Sequence, residues 1–191
     1  LDNQHLRVYS DAAFKKEEAD GHSMRGALYL RCCTTLINKL FGMYTSTVQG
    51  HLLDFKSGGQ RRVVRPTFTA ESLAACDALD QGIVLAQTLH EMQTGDTSAH
   101  CSRQRRESGG FKIPLALYID ALSVYAAVTA VFIKIPADQS VLCHLHYLRE
   151  MLDYDVLRLL IWVDTRDMLA DGLTKGSVER QVLHDAMNGQ V

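Results

Sequence analysis

The chain has 191 residues, 47% hydrophobic and 22% charged, with a formal net charge of −2 at pH 7. Those values are those of an ordinary globule, one domain with ample length for a buried core. No apolar run approaches the ~20 residues of a membrane span, no signal peptide opens the chain, and its five cysteines form no disulfide-like framework. Residues 6–12, LRVYSDA, alternate apolar and polar like a strand and deliver Asp11 at its C-terminal end. A charged loop over 15–23 follows, then a second strand over 26–33 and a third over 48–55, with a turn at Ser57, Gly58 and Gly59. Three strands in succession with short connections suggest an antiparallel meander. Residues 34–47 carry no decisive pattern.

Next comes KSGGQRRVVRPTFTAE, in which Lys56, Arg61, Arg62 and Arg65 stand just ahead of the clearest helix. Pro66 prevents an earlier start, Thr69 is placed to cap the helix, and the pattern reaches Met92. Leu73, Cys76, Leu79, Ile83 and Ala86 form a stripe at helical spacing, fit for a core. A second row, Glu71, Ala75, Ala78 and Gly82, is small enough to let the first turn lie close to a sheet and aim Glu71 at it. The plainer reading of Glu71 is a helix-start acid favoured by the macrodipole.

Residues 94–110 are polar and carry Arg103, Arg105 and Arg106, which reads as a surface loop bearing solvated charge. LALYIDA then echoes the first strand, with Asp120 directly after an apolar run. Two Tyr-x-Asp-Ala endings suggest neighbouring strands that present carboxylates at one edge. Acids on buried strands are costly without a cation, and a pair with further acids in reach is an arrangement that binds divalent metal. Turn-starting aspartates are the bland alternative. Helices are expected over 121–131 and 139–153; the latter holds Cys143, His144, His146 and Arg149, a spacing that fits no standard zinc site. A buried strand over 157–163 leads to Asp164 and Thr165, placed to cap a helix that carries Asp167 and Asp171 and ends near Lys175. Gly176 and Ser177 break the pattern before a short terminal helix over 178–187. Strands first, then helices alternating with strands, predict a mixed α/β sheet.

Asp11, Glu71, Asp120 and Asp171 thus follow the order strand, helix, strand, helix. That order resembles the ribonuclease H family, and most closely the ribonuclease H domain of copia-type retrotransposon polyproteins. The Y-x-D-A that ends that group's first strand is matched by Tyr9 to Ala12, and its basic segment leading to A-E by Arg61 to Glu71. Its strand ending in D and A is matched by Asp120 and Ala121, and its H-x-x-R-E helix by His146, Arg149 and Glu150. V-x-T-x-x-x-x-A-D-x-L-T-K is matched by Val163, Thr165, Ala170, Asp171, Leu173, Thr174 and Lys175. Each block is weak alone, but five in order, over residues 6–175, form a specific signal.

The resemblance implies a mixed five-stranded sheet, three antiparallel strands then two parallel, flanked by helices. It implies a domain over 1–175 with a helical extension over 176–191. Four acids would neutralise two Mg²⁺, with Mn²⁺ as the alternative, about 4 Å apart. Asp11 would bridge both ions, Glu71 and Asp120 on one side and Asp171 on the other. The implied activity is endonucleolytic cutting of the RNA strand of an RNA–DNA hybrid, beside a reverse transcriptase domain upstream in the same polyprotein. Lys56, Arg61, Arg62 and Arg65 would then grip phosphates, and discounting the four acids reverses the sign of the net charge. The chain opens without methionine, which suggests excision from a longer product, and its five scattered cysteines suggest a reducing intracellular setting: cytoplasm, virus-like particle or nucleus.

Three departures keep a second reading open. The tryptophan usual on the third strand is replaced by Leu53 or Phe55, the acid pair before the helical glutamate is reduced to Ala70-Glu71, and the 94–110 segment is long. They fit a decayed module that keeps the fold as a structural or nucleic-acid-binding part.

Overall fold

The computed structural model describes residues 4–14, 23–33, 50–60, 67–175 and 181–189. Five strands, β1 (Gln4–Phe14), β2 (Ser23–Cys33), β3 (Gly50–Gly59), β4 (Leu115–Ile119) and β5 (Leu159–Trp162), form one sheet in the order β3-β2-β1-β4-β5. β1, β2 and β3 pair antiparallel, while β1 with β4 and β4 with β5 pair parallel. This is the mixed sheet expected from the strand-first order. Tyr9 lies opposite Tyr118 in the β1–β4 register, so the two Tyr-x-Asp-Ala endings do belong to neighbouring strands. Their rings stack with centroids 4.6 Å apart.

Alternation along β1 divides the core. Leu6 and Val8 face a large cluster with Ala75, Leu79, Ile83, Leu115 and Leu117, whereas Tyr9 joins Leu28, Leu30, Tyr118, Met168 and Ala170 on the other face. The long helix α1 (Thr67–Thr94) covers the first face. Its small row lies on the sheet, as a Cβ on Gly82 would come within 3.0 Å of the Val8 side chain. Cys76, Leu79, Ile83 and Ala86 are buried, and Leu73 packs beside Ala12 and Ala70.

The helix begins at Thr67, two residues earlier than the expected cap; Thr69 is inside it and donates its hydroxyl to Asp138 at 3.3 Å. The expected turn at Ser57, Gly58 and Gly59 is instead the end of β3, since their backbones continue the ladder opposite Gly26, Arg25 and Met24. The expected surface loop over 94–110 contains a helix, α2 (Ala99–Ser108). Ser98 caps it, and buried Arg105 ties it to Asp96 at 3.1 Å and to Gln87 at 3.2 Å. Arg103 and Arg106 are exposed.

α3 (Leu122–Thr129) and α4 (Leu142–Asp153) also cover the first face. Arg149 in α4 donates to the Val128 carbonyl at 2.7 Å and to that of Ala130, closing the C-terminal end of α3. Cys143 and His146 are exposed, and no disulfide joins the cysteines. The helix expected to run from Asp164 to Lys175 is two pieces, a 3-10 turn at Thr165–Asp167 and a short α5 (Asp171–Thr174). Met168, Leu169 and Ala170, between them, are all buried. Consecutive helical residues are about 100° apart, so three in a row cannot share one face, and the break lets all three reach the second core. α6 (Gln181–Met187) ends the described chain and places Leu183 and Ala186 in that same core. The 15–22, 34–49, 61–66 and 176–180 segments, including Arg61, Arg62, Arg65 and the Gly176-Ser177 break, lie outside the described residues. No described helix is long and apolar enough to cross a membrane.

Candidate active site

The hydrogen-bonded register of β1 with β4 stops at Ser10 and Ile119. Beyond that point β4 ends while β1 runs on to Phe14 paired with β2 alone, leaving a crevice beside β1 at the carboxyl end of β4, the side on which open α/β sheets expose side chains to ligands. Asp11 and Asp120 follow immediately on either side of it. The Ala12 amide, with no β4 partner, donates instead to Glu71 at 3.1 Å. That bond draws the N-terminal part of α1, one turn in from Thr67, against the crevice. Oxygen atoms of Asp11, Glu71 and Asp120 consequently lie within 4.8 Å of one another, the one such group of potential metal ligands among the described residues.

The fourth acid is held differently. Asp171, at the start of α5, is buried and accepts from Lys175 at 2.6 Å; the same ammonium lies 3.8 Å from Asp11. Asp171 is not within the three-acid group, although its charge is felt at Asp11. Asp164 is turned to its own neighbour Arg166 at 2.9 Å, and Asp167 is exposed. Thr174 donates its hydroxyl to Asp11, and Thr165 donates to Asp120 at 3.1 Å. The Trp162 ring nitrogen donates to the Asp120 carbonyl at 3.0 Å. Sequence reasoning offered Thr165 only as a helix cap and gave Thr174 and Lys175 no role in the site, although all three stand inside the V-x-T-x-x-x-x-A-D-x-L-T-K match.

Close approach of α5 to the sheet depends on one glycine. Asp11, Gly26 and Ser57 lie opposite one another across three strands. A Cβ on Gly26 would meet the Thr174 methyl at 2.7 Å and the Ala170 carbonyl at 3.1 Å. Ser57 donates to the Leu173 carbonyl at 2.6 Å, which pins the far end of the same turn.

Burial pushes the Asp11 carboxyl up to about 6; Asp171 and Asp120 add to the rise, and the Thr174 hydroxyl and Lys175 oppose it. Burial also pushes Glu71 up to about 9, reinforced by Asp11 and Asp120 and opposed by the Ala12 amide. Both shifts come first from burial and then from the neighbouring acids, so ionising the whole cluster calls for positive charge beyond that of Lys175. All its donors are hard carboxylate oxygens, the set that suits Mg²⁺ or Mn²⁺ and not a soft metal. The residues therefore fit a divalent cation.

Lys56 is exposed on β3 and lines a shallow cleft with Arg25, Tyr29 and Asp77, in which Arg25 pairs with Asp77. It lies two strands from Asp11, roughly 10 Å across the sheet, and contributes nothing to the acidic cluster itself.

Comparison with solved structures places this architecture. RNase H1 from the halophilic archaeon Halobacterium salinarum NRC-1 superposes with a TM-score of 0.51 over 95% of this chain and 98% of its own, at 15% identity. The chain has the ribonuclease H fold. LC11-RNase H1 in complex with an RNA/DNA hybrid matches with a TM-score of 0.49, at 12% identity over 88% of this chain and 93% of its own. A further structure of LC11-RNase H1, isolated from compost by a metagenomic approach, gives 0.44, at 11% identity over 91% and 95%. No protein-family model and no curated protein matches the sequence. Within the ribonuclease H fold of this chain, the crevice between β1 and β4 is where the acids gather.

Proposed function

We propose that the chain is a metal-dependent endonuclease that hydrolyses the RNA strand of RNA–DNA hybrids, in the service of retrotransposon reverse transcription. The observation that carries this reading is the convergence of Asp11, Glu71 and Asp120 in the crevice beside β1 at the carboxyl end of β4, from three distant parts of the sequence. The ribonuclease H fold supports it, as does the ordered set of copia-type motifs. Asp11, Glu71, Asp120 and Asp171 are the proposed catalytic and metal-holding residues. Bound divalent ions, two Mg²⁺ or Mn²⁺ in this proposal, would supply an activated water and a stabilised leaving 3′ oxygen.

The chain's own contribution is charge placement and orientation. Asp11 is fixed by Thr174 and Asp120 by Thr165, so each presents its carboxylate at a set angle. Glu71 is held at the mouth of the crevice by the Ala12 amide. Lys56, Arg61, Arg62 and Arg65 are the proposed phosphate contacts, which offset the repulsion between the acids and a nucleic-acid backbone. Hybrid would be chosen over other duplexes by groove shape and 2′-hydroxyl contacts. The proposed context is a reverse transcriptase domain upstream in one polyprotein and an intracellular setting.

The test is cleavage of a labelled RNA–DNA hybrid beside matched duplex DNA and duplex RNA, with Mg²⁺ and with EDTA. RNA-strand cutting confined to the hybrid and dependent on Mg²⁺ is expected. Binding of hybrid without any cutting would instead mark a decayed binding module.

A further inference from the structure

We propose that Lys175 is a built-in cation of the acidic crevice. It holds the position between Asp11 and Asp171, so that the free chain takes up one divalent ion, at Asp11, Glu71 and Asp120. The inference rests on reading the crevice as a metal centre.

Four carboxylates enter the crevice, yet only three bring oxygens within 4.8 Å of one another. The fourth, Asp171, is engaged by Lys175 at 2.6 Å, the distance of a charge-assisted hydrogen bond. The ammonium is also 3.8 Å from the Asp11 oxygen that Thr174 leaves open. An ion joining Asp11 to Asp171 would need carboxylate oxygens from both at about 2.0–2.1 Å for Mg²⁺. That is the space the ammonium spans.

Local geometry makes this placement persistent. Lys175 caps α5 and stands four residues after Asp171, so both side chains lie on one side of the same turn. Gly26 and Ser57 press that turn onto the sheet, leaving Asp171 little freedom to swing toward Glu71 and Asp120. Asp11 is 1% exposed and must have a positive partner when ionised; Lys175 provides one without any ion bound. Lys175 keeps 32% of its side chain exposed, so it can also turn outward. A second ion therefore requires displacement of the ammonium, by a substrate phosphate that brings the ion or by substitution of the lysine.

Mn²⁺ binding to the purified chain without nucleic acid, counted by electron paramagnetic resonance, tests this. The wild type should bind one ion per chain and Lys175→Met two, while Lys175→Arg, which keeps the charge, should stay at one. In EDTA, Lys175→Met should melt below the wild type, and saturating Mn²⁺ should raise its midpoint by more than it raises the wild type's. Lys175→Gln gives the same comparison should the methionine variant not fold. Two ions on the wild type, or one on both Lys175→Met and wild type, would overturn the inference and leave the metal centre intact. No ion on either protein would overturn the metal centre as well.

Discussion

Each acid of the crevice is held by a specific donor, and those donors set what a substitution will do. Asp120 accepts from Thr165 through its side chain and from Trp162 through its carbonyl. Asp120→Asn keeps that shape and the acceptor for Thr165 but removes one negative charge. Hybrid cleavage should be abolished, because the charge is what the metal requires. Thermal stability in metal-free buffer should be unchanged or higher, because repulsion with Asp11 and Glu71 is relieved. Cleavage at the wild-type rate would remove Asp120 from the proposed ligands, whatever the melting result.

At the scale of the element, the site depends on how closely one short turn lies on the sheet. α5 has only four residues and no side-chain cap of its own, so tertiary contacts hold it. Gly26 is one of those contacts by virtue of having no side chain. Gly26→Ala would drive a methyl into the Thr174 side chain and toward the Ala170 carbonyl. Overpacking of this kind costs about 1–3 kcal/mol. The strain would fall on the turn that carries Asp171, Thr174 and Lys175, so the variant should lose activity out of proportion to its loss of stability. Denaturant unfolding alongside cleavage at a temperature where the variant is fully folded would show this; full activity there would mean that the turn tolerates displacement.

For the whole molecule, the acidic crevice is a local cost that the cores on both faces of the sheet must outweigh. The Asp11 and Glu71 carboxyls are raised from 3.8 to about 6 and from 4.5 to about 9. Without metal, the folded chain therefore retains protons that the unfolded chain has released, and stability falls as pH rises. The contribution is fully present below about pH 4 and is lost as pH passes about 6 for Asp11 and about 9 for Glu71. The melting midpoint in EDTA should fall across that window, and Mg²⁺, which favours the ionised acids, should flatten the fall. Glu71→Gln isolates one share: its midpoint should fall less than the wild type's between pH 6 and 9. Equal slopes for the two proteins would show that Glu71 is not the group responsible.

The fold itself was legible because its signals are local and periodic. Alternation in LRVYSDA and the apolar run of LALYIDA specify strands, and the repeated Tyr-x-Asp-Ala anticipates their pairing, seen in the Tyr9–Tyr118 register. The small row of the long helix anticipates its contact with the sheet, because only residues of that size let a helix backbone approach so near. Polar segments were not legible. α2 has a single buried residue, and it forms because Arg105 finds Asp96 and Gln87, partners that no period in its own sequence reveals. The break before α5 was hidden too, since cap residues and helical formers suit one continuous helix, while burial of three consecutive side chains forbids it. Sequence by itself determined which acids exist and on which kinds of element they sit. Only the tertiary structure decided that the turn carrying Asp171 and Lys175 lies against Asp11, outside the group that Asp11 forms with Glu71 and Asp120, because that placement is made by contacts between a turn and a strand about 160 residues apart in the chain.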